Sequence, residues 1–151
     1  MPTIKSYESA NEMIQRFDGR DYTRDDGLGY VYICEYGKDL KIGCTTQPKT
    51  RIKTHESNVR IYGNKHIGMI SLTSIGFQFY RDFEYVLHWI YADKRKSEKG
   101  ELFALKHNEV IPVFVTEFAS FLRFINNEQP LYRRTGSVYY DYIQFLGGIN
   151  A

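Results

Sequence analysis

Apolar and polar positions change their period several times along the chain, and each change marks an element. Ala10, Met13, Ile14 and Phe17 recur at helical spacing, which predicts a short helix over about Tyr7–Phe17 with Ser6 as its cap. Residues 18–29 are crowded with Gly and Asp and read as a loop tying that helix to the core. Tyr30–Tyr36 and Leu40–Thr45 then alternate β-favouring residues around Gly37-Lys38, the pattern of a β-hairpin. With a two-residue turn, Tyr36 pairs with Asp39, Cys34 faces Lys41, Tyr32 faces Gly43 and Val31 faces Cys44. Tyr30, Tyr32, Cys34, Lys41 and Gly43 then share one face, and Val31, Ile33, Leu40, Ile42 and Cys44 share the other. The second face is a core face. The first sets a phenol beside an ammonium, over a glycine that leaves room. A three-residue loop would break this parity, because one step of register exchanges the faces.

Pro48 introduces a helix over about Lys49–Asn58, with Arg51 and His55 one turn apart. Lys65–Ile75, rich in Ile and Thr, reads as a third strand. Phe77–Lys96 reads as a longer helix with an apolar stripe at Tyr80, Phe83, Leu87 and Ile90. Glu84, His88, Tyr91 and Arg95 line a neighbouring face. Ser97–Gly100 breaks that helix, and Glu101–Leu105 is a short segment of open type. A last helix is expected over Glu109–Asn126 with Pro112 in its first turn, followed by an aromatic tail over Pro130–Ala151. The order β-β-α-β-α-α implies an α+β fold: a small antiparallel sheet flanked by helices, with an added C-terminal helix and tail. The expected division is an arm at 1–28, a core at 29–106 and a helical extension at 107–151.

Composition narrows the classes. A chain of 151 residues with 42% hydrophobic and 25% charged residues is globular rather than disordered or fibrous. Two cysteines are too few for a disulfide scaffold or a zinc site. No apolar run approaches the ~20 residues of a membrane helix, and the first residues lack the apolar stretch of a secretory signal, so a cytoplasmic location is expected. The net charge of +2 decides little, but it hides an asymmetry: Lys38–His66 carries seven basic against two acidic residues. Such a concentration suits an anion such as phosphate.

Gly29-Tyr30-Val31-Tyr32-Ile33, Lys41-Ile42-Gly43 and the Arg51-Ile52-Lys53-Thr54-His55 helix together resemble the GIY-YIG nuclease superfamily. The closest likeness is to a branch frequent in phage and bacterial genomes whose second tripeptide reads K-I-G. It spans about Gly29–Leu105. The resemblance implies a small three-stranded antiparallel sheet flanked by helices, and DNA cleavage with one divalent metal. Tyr32 matches the functional tyrosine of the first tripeptide, whose leading glycine is replaced by Tyr30. Lys41 stands where many members carry a tyrosine. Arg51 matches the helix arginine on the scissile phosphate, with His55 following, and Glu84 sits where the family places its metal-binding glutamate. Glu101-Leu102-Phe103 resembles a worn acidic-aromatic motif of the branch.

These residues suit one-metal hydrolysis. Tyr32 is the expected general base, although a free phenol has a pKa of ~10, and Lys41 is expected to favour its phenolate. Arg51 offers a planar fork to the phosphate. Glu84 is expected to hold Mg²⁺ or Mn²⁺, which prefer oxygen ligands. Lys49, Arg51, Lys53 and His55 form the expected DNA contact, and a homodimer is one expected way for so small a domain to gain selectivity. The tail residues Tyr132, Arg133, Arg134, Tyr139, Tyr140 and Tyr142 suit base stacking or, in preference, oligomer or core packing. The competing reading is a non-catalytic nucleic-acid-binding or protein-interaction module on the same scaffold.

Overall fold

The computed structural model describes residues 3–97, 100–128 and 136–150. Among them an antiparallel sheet is built from β1 (Ile4–Tyr7), β2 (Leu28–Tyr36), β3 (Asp39–Thr45), β4 (Ile70–Thr73), β5 (Phe77–Gln78) and β6 (Leu102–Phe103). The strands run in the order β1-β4-β2-β3-β6, and β5 adds to the start of β2. Five helices flank it: α1 (Ala10–Arg16), α2 (Pro48–Asn58), α3 (Tyr80–Ile90), α4 (His107–Arg123) and α5 (Val138–Asn150). The α+β class with an antiparallel sheet is as the chain pattern predicts. The expected trio corresponds to β4, β2 and β3, and short strands extend both of its edges.

The hairpin register is the predicted one: Tyr36 pairs with Asp39, Cys34 with Lys41, Tyr32 with Gly43 and Val31 with Cys44. Gly37 holds φ at +66° in the first central position of the turn, a conformation that a residue with a Cβ adopts only at a cost. The alternation therefore sorts side chains as expected. Val31, Ile33, Leu40 and Ile42 meet Phe83, Val86 and Leu87 of α3 and Phe114, Phe118 and Phe121 of α4. Tyr30, Tyr32, Cys34 and Tyr36 meet Ile52 of α2 and Met13 of α1 on the opposite side.

Several boundaries differ from the sequence expectation. Tyr7 ends β1, which pairs with β4, so the first helix begins at Ala10; its cap is Ser9, whose hydroxyl accepts the Glu12 N–H at 3.1 Å, rather than Ser6. The strand expected over Lys65–Ile75 is confined to Ile70–Thr73. The helix expected from Phe77 starts at Tyr80, because Phe77–Gln78 is spent on β5 and Phe79 turns the chain at φ +64°. A non-glycine residue held there costs on the order of 1–3 kcal/mol, offset by the packing of Phe79 against the main core. α4 starts at His107, which leaves Pro112 inside the helix rather than in its first turn. The tail forms α5, whose fully buried Tyr142 hydrogen-bonds at 2.8 Å to both Glu117 and Ser120 of α4. Packing thus accounts for Tyr142, whereas Tyr132, Arg133 and Arg134 lie outside the described residues.

Candidate active site

Tyr30, the departure from the tripeptide pattern, is buried against Phe17 and Tyr22, and its hydroxyl donates to the Arg20 carbonyl at 2.7 Å. The ring thereby fastens the loop after α1 to the sheet. Gly29, one place earlier, lies directly beneath Tyr80, whose ring is 2.7 Å from where a Cβ would stand. Gly29 thereby lets the start of α3 lie close against β2.

Tyr32 points to the α2 side, where its hydroxyl lies 2.6 Å from His55 Nε2. Both are buried, and the His55 ring packs between Tyr32 and Tyr36, with centroids 5.6 Å from each. Burial, with the Cys34 and Glu101 side chains nearby, holds the Tyr32 phenol well above its ordinary pKa, against the pull of Arg51. Burial, reinforced by the Lys41 and Arg51 charges, drops His55 to about 4. At neutral pH the phenol therefore keeps its proton and the imidazole is uncharged, and in the tautomer with the proton on Nδ1 the phenol donates to Nε2.

Two sequence expectations change here. Lys41 sits with its ammonium 5.1 Å from the Tyr36 ring centroid, and its charge acts on His55 and Cys34. The phenolate it was expected to promote is opposed by burial. His55, expected at the phosphate, faces inward onto Tyr32, while Arg51 and Lys53 are exposed and Lys49 is half-buried on α2.

Gly43 is the meeting point. A methyl group there would lie 2.5 Å from the Tyr32 hydroxyl and 2.9 Å from Glu101 Oε1, so the space left by the glycine is filled by a phenol and a carboxylate. Glu101 is held by its backbone, whose carbonyl accepts the Ile42 N–H at 3.0 Å just ahead of β6. Glu84, from α3, is 8% exposed; burial and then the Glu101 charge raise it to about 7, opposed by a hydrogen bond with the Cys44 thiol and by Arg81 and Arg95. Beside it, His88 Nε2 donates to the Ile42 carbonyl at 2.9 Å, and burial lowers its pKa.

A cleft of about 400 Å³ is linked to this cluster through Cys44, the partner of Glu84, and is bounded by Thr50, Arg51 and Thr54 of α2, Cys44–Gln47 at the end of β3, and Tyr80 and Arg81 of α3. Arg51 and Arg81 stand on its two walls. Sequence reasoning missed Arg81, whose signal was its place one turn before Glu84. It also left Glu101 out of the site, although the acidic-aromatic motif had marked it. Among the described residues no group of three or more His, Cys, Asp and Glu side chains forms a cage for an ion. The pair Glu84 and Glu101 nevertheless fits a hard divalent cation, which is held by one or two carboxylates and completes its shell with water and phosphate oxygens.

The hairpin, the arginine-bearing α2 and the carboxylate-bearing α3 thus converge near the end of β3. The chain belongs to the T5orf172 domain family, whose profile matches residues 29–123. That domain is found in phage proteins and is associated with GIY-YIG-like and HNH-like nuclease-related folds. No curated protein and no solved structure matches the chain. Among the described residues, no helix is long and apolar enough to cross a membrane.

Proposed function

We propose that this protein is an endonuclease that hydrolyses DNA phosphodiester bonds with one divalent cation, Mg²⁺ or Mn²⁺, held at Glu84 with Glu101 beside it. The observation that carries this reading is the 2.6 Å hydrogen bond between the Tyr32 hydroxyl and His55 Nε2, one turn of α2 from Arg51 and the cleft that Arg51 and Arg81 line. The Tyr32 oxygen accepts a proton from the attacking water while its own proton passes to His55, which becomes imidazolium. The water oxygen bonds to phosphorus as the bond to the leaving oxygen breaks. Arg51 pairs with non-bridging phosphate oxygens as a two-pronged donor, and Arg81 adds charge from the opposite wall. A cation at Glu84 would neutralise charge on the phosphate and on the departing oxygen.

Substrate itself sharpens the base. Part of what holds His55 near 4 is the charge of Lys41 and Arg51. A phosphate bound at Arg51 offsets that charge and raises the affinity of Nε2 for a proton at the moment it is needed. Lys49 and Lys53, one turn apart on a different face of α2 from Arg51, add positive charge for the DNA backbone beside the cleft.

Incubation of the protein with supercoiled, linear and single-stranded DNA in Mg²⁺ or Mn²⁺ tests the proposal, beside Glu84→Ala and Tyr32→Phe. Wild-type cleavage that both substitutions abolish is expected. Tight binding without cleavage of any form would reassign the chain to a non-catalytic nucleic-acid-binding module.

A further inference from the structure

The outer side of α3 carries aromatic rings that hydrolysis leaves unused. Its inner positions Phe83, Val86 and Leu87 fill the core, while Tyr85 and Trp89, one turn apart, stand 51% and 47% exposed. Tyr139 from α5 meets Tyr85 edge-on at 5.9 Å, and its backbone N–H is fixed by the Asp82 carboxylate at 3.0 Å. Tyr140 follows at 4.9 Å from Tyr139 and is 58% exposed. Between these rings lies a shallow cleft of about 300 Å³ lined by Tyr85, His88, Trp89, Ala92, Arg95 and Tyr139. Its floor belongs to the candidate active site, because His88 binds the carbonyl of Ile42, the neighbour of Gly43. Its charge does too. Arg95 is steered by a 2.7 Å bond from Nε to the Gly100 carbonyl, and its field reaches Glu84.

Rings that meet edge-on beside a guanidinium offer π faces to a flat ligand and a cation to an anion linked to it. We propose that Tyr85, Trp89 and Tyr139 form a stacking platform for an unpaired nucleobase of the DNA strand, whose adjoining phosphate is taken by Arg95. This rests on the nuclease reading for its substrate and deepens it: the preferred DNA has a splayed or single-stranded nucleotide beside the cleaved bond. A base in a closed duplex keeps its faces covered by its neighbours and has none to offer. Base–aromatic stacking is strong enough for the loss of one ring to weaken binding roughly tenfold or more.

Trp89 is the one tryptophan of the chain, so its fluorescence reports on the platform directly. The 151-residue chain is titrated, without divalent cation, with a single-stranded oligonucleotide, the same sequence as a closed duplex, and an abasic strand of equal length. Quenching by the single strand, little by the duplex, and binding about tenfold weaker without quenching by the abasic strand are expected. Tyr85→Leu, at an exposed position that leaves the core intact, should weaken single-strand binding by a similar factor. Equal quenching by abasic and intact strands, or unchanged affinity in Tyr85→Leu, overturns the platform. So does a fluorescence change that follows protein concentration alone, which would give the rings to a second copy of the chain. Because no cleavage is involved, quenching in a protein that fails to cut leaves the platform standing and removes the hydrolase. Cutting without quenching does the reverse.

Discussion

Val31, Ile33, Leu40 and Ile42 meet the phenylalanines of α3 and α4, whereas Tyr30, Tyr32, Cys34 and Tyr36, from alternate positions of the same strand β2, meet Ile52 and His55 of α2. Both sides are dry, yet they spend their burial differently. On the phenylalanine side it yields hydrophobic stabilisation, roughly 25 cal/mol for each Å² of apolar surface withdrawn from water. On the tyrosine side it also desolvates a phenol and an imidazole. That keeps the proton on Tyr32 and off His55. A two-residue period thus lets one strand anchor the fold and hold reactive groups in unusual protonation states.

The contrast is broken most severely from the apolar side. Phe83 is fully buried and its ring packs against Phe77, Phe114, Phe118 and Phe121. Phe83→Ala is expected to lower unfolding stability by about 3–5 kcal/mol in denaturant titration. A loss under about 1 kcal/mol would show that the anchor lies elsewhere. Arg51, exposed at the rim of the other side, should behave in the opposite way. Arg51→Ala is expected to cut DNA cleavage by about 10²–10³-fold, as removing one preorganised donor does, while stability changes by no more than about 0.5 kcal/mol. Cleavage at the wild-type rate would take Arg51 out of the reaction.

Acid separates the faces next. His55 is lowered to about 4 in the folded chain from 6.5. The unfolded chain therefore binds its proton first, and the stabilisation present above pH 6.5 is lost as pH falls towards 4. The size is roughly 3 kcal/mol at most for this one group. Burial also lowers His88 and His107, which add to the slope in the same direction. His55→Gln should flatten the stability profile between pH 6.5 and 4. An unchanged slope in that variant would mean the imidazole is not desolvated as its position requires.

How much of this was legible depended on how local each cause is. Alternation and Gly37 fixed the hairpin and both faces, because register needs only a turn and a period. Ile4–Tyr7 is too short to announce a strand, and its partner β4 is more than sixty residues away, as in the pairing of Ser6 with Ser71. The left-handed Phe79 has no sequence signature, so the start of α3 was misplaced. Arg51 and His55 were rightly put on one turn of helix. Which of them faces inward was hidden, because α2 offers only Ile52 and Pro48 as buried apolar guides. Glu101 reaches Gly43 only through the pairing of β6 with β3, a contact no spacing rule supplies.

The mildest test probes a polar thread within the apolar side. Ser71, fully buried on β4, lies 2.6 Å from His107 Nε2 at the start of α4 and 2.6 Å from the Ser6 hydroxyl on β1. One chain of hydroxyls thus ties the edge strand to the helix. Its inner and outer links should not cost the same. Ser71→Ala leaves the His107 nitrogen buried without its hydroxyl partner, a loss of about 1–3 kcal/mol. Ser6 is exposed, so in Ser6→Ala water takes over its bond to Ser71 and the cost should stay below about 1 kcal/mol. Equal losses in the two variants, read from paired denaturant midpoints, would mean that burial does not set the worth of a hydrogen bond on this face.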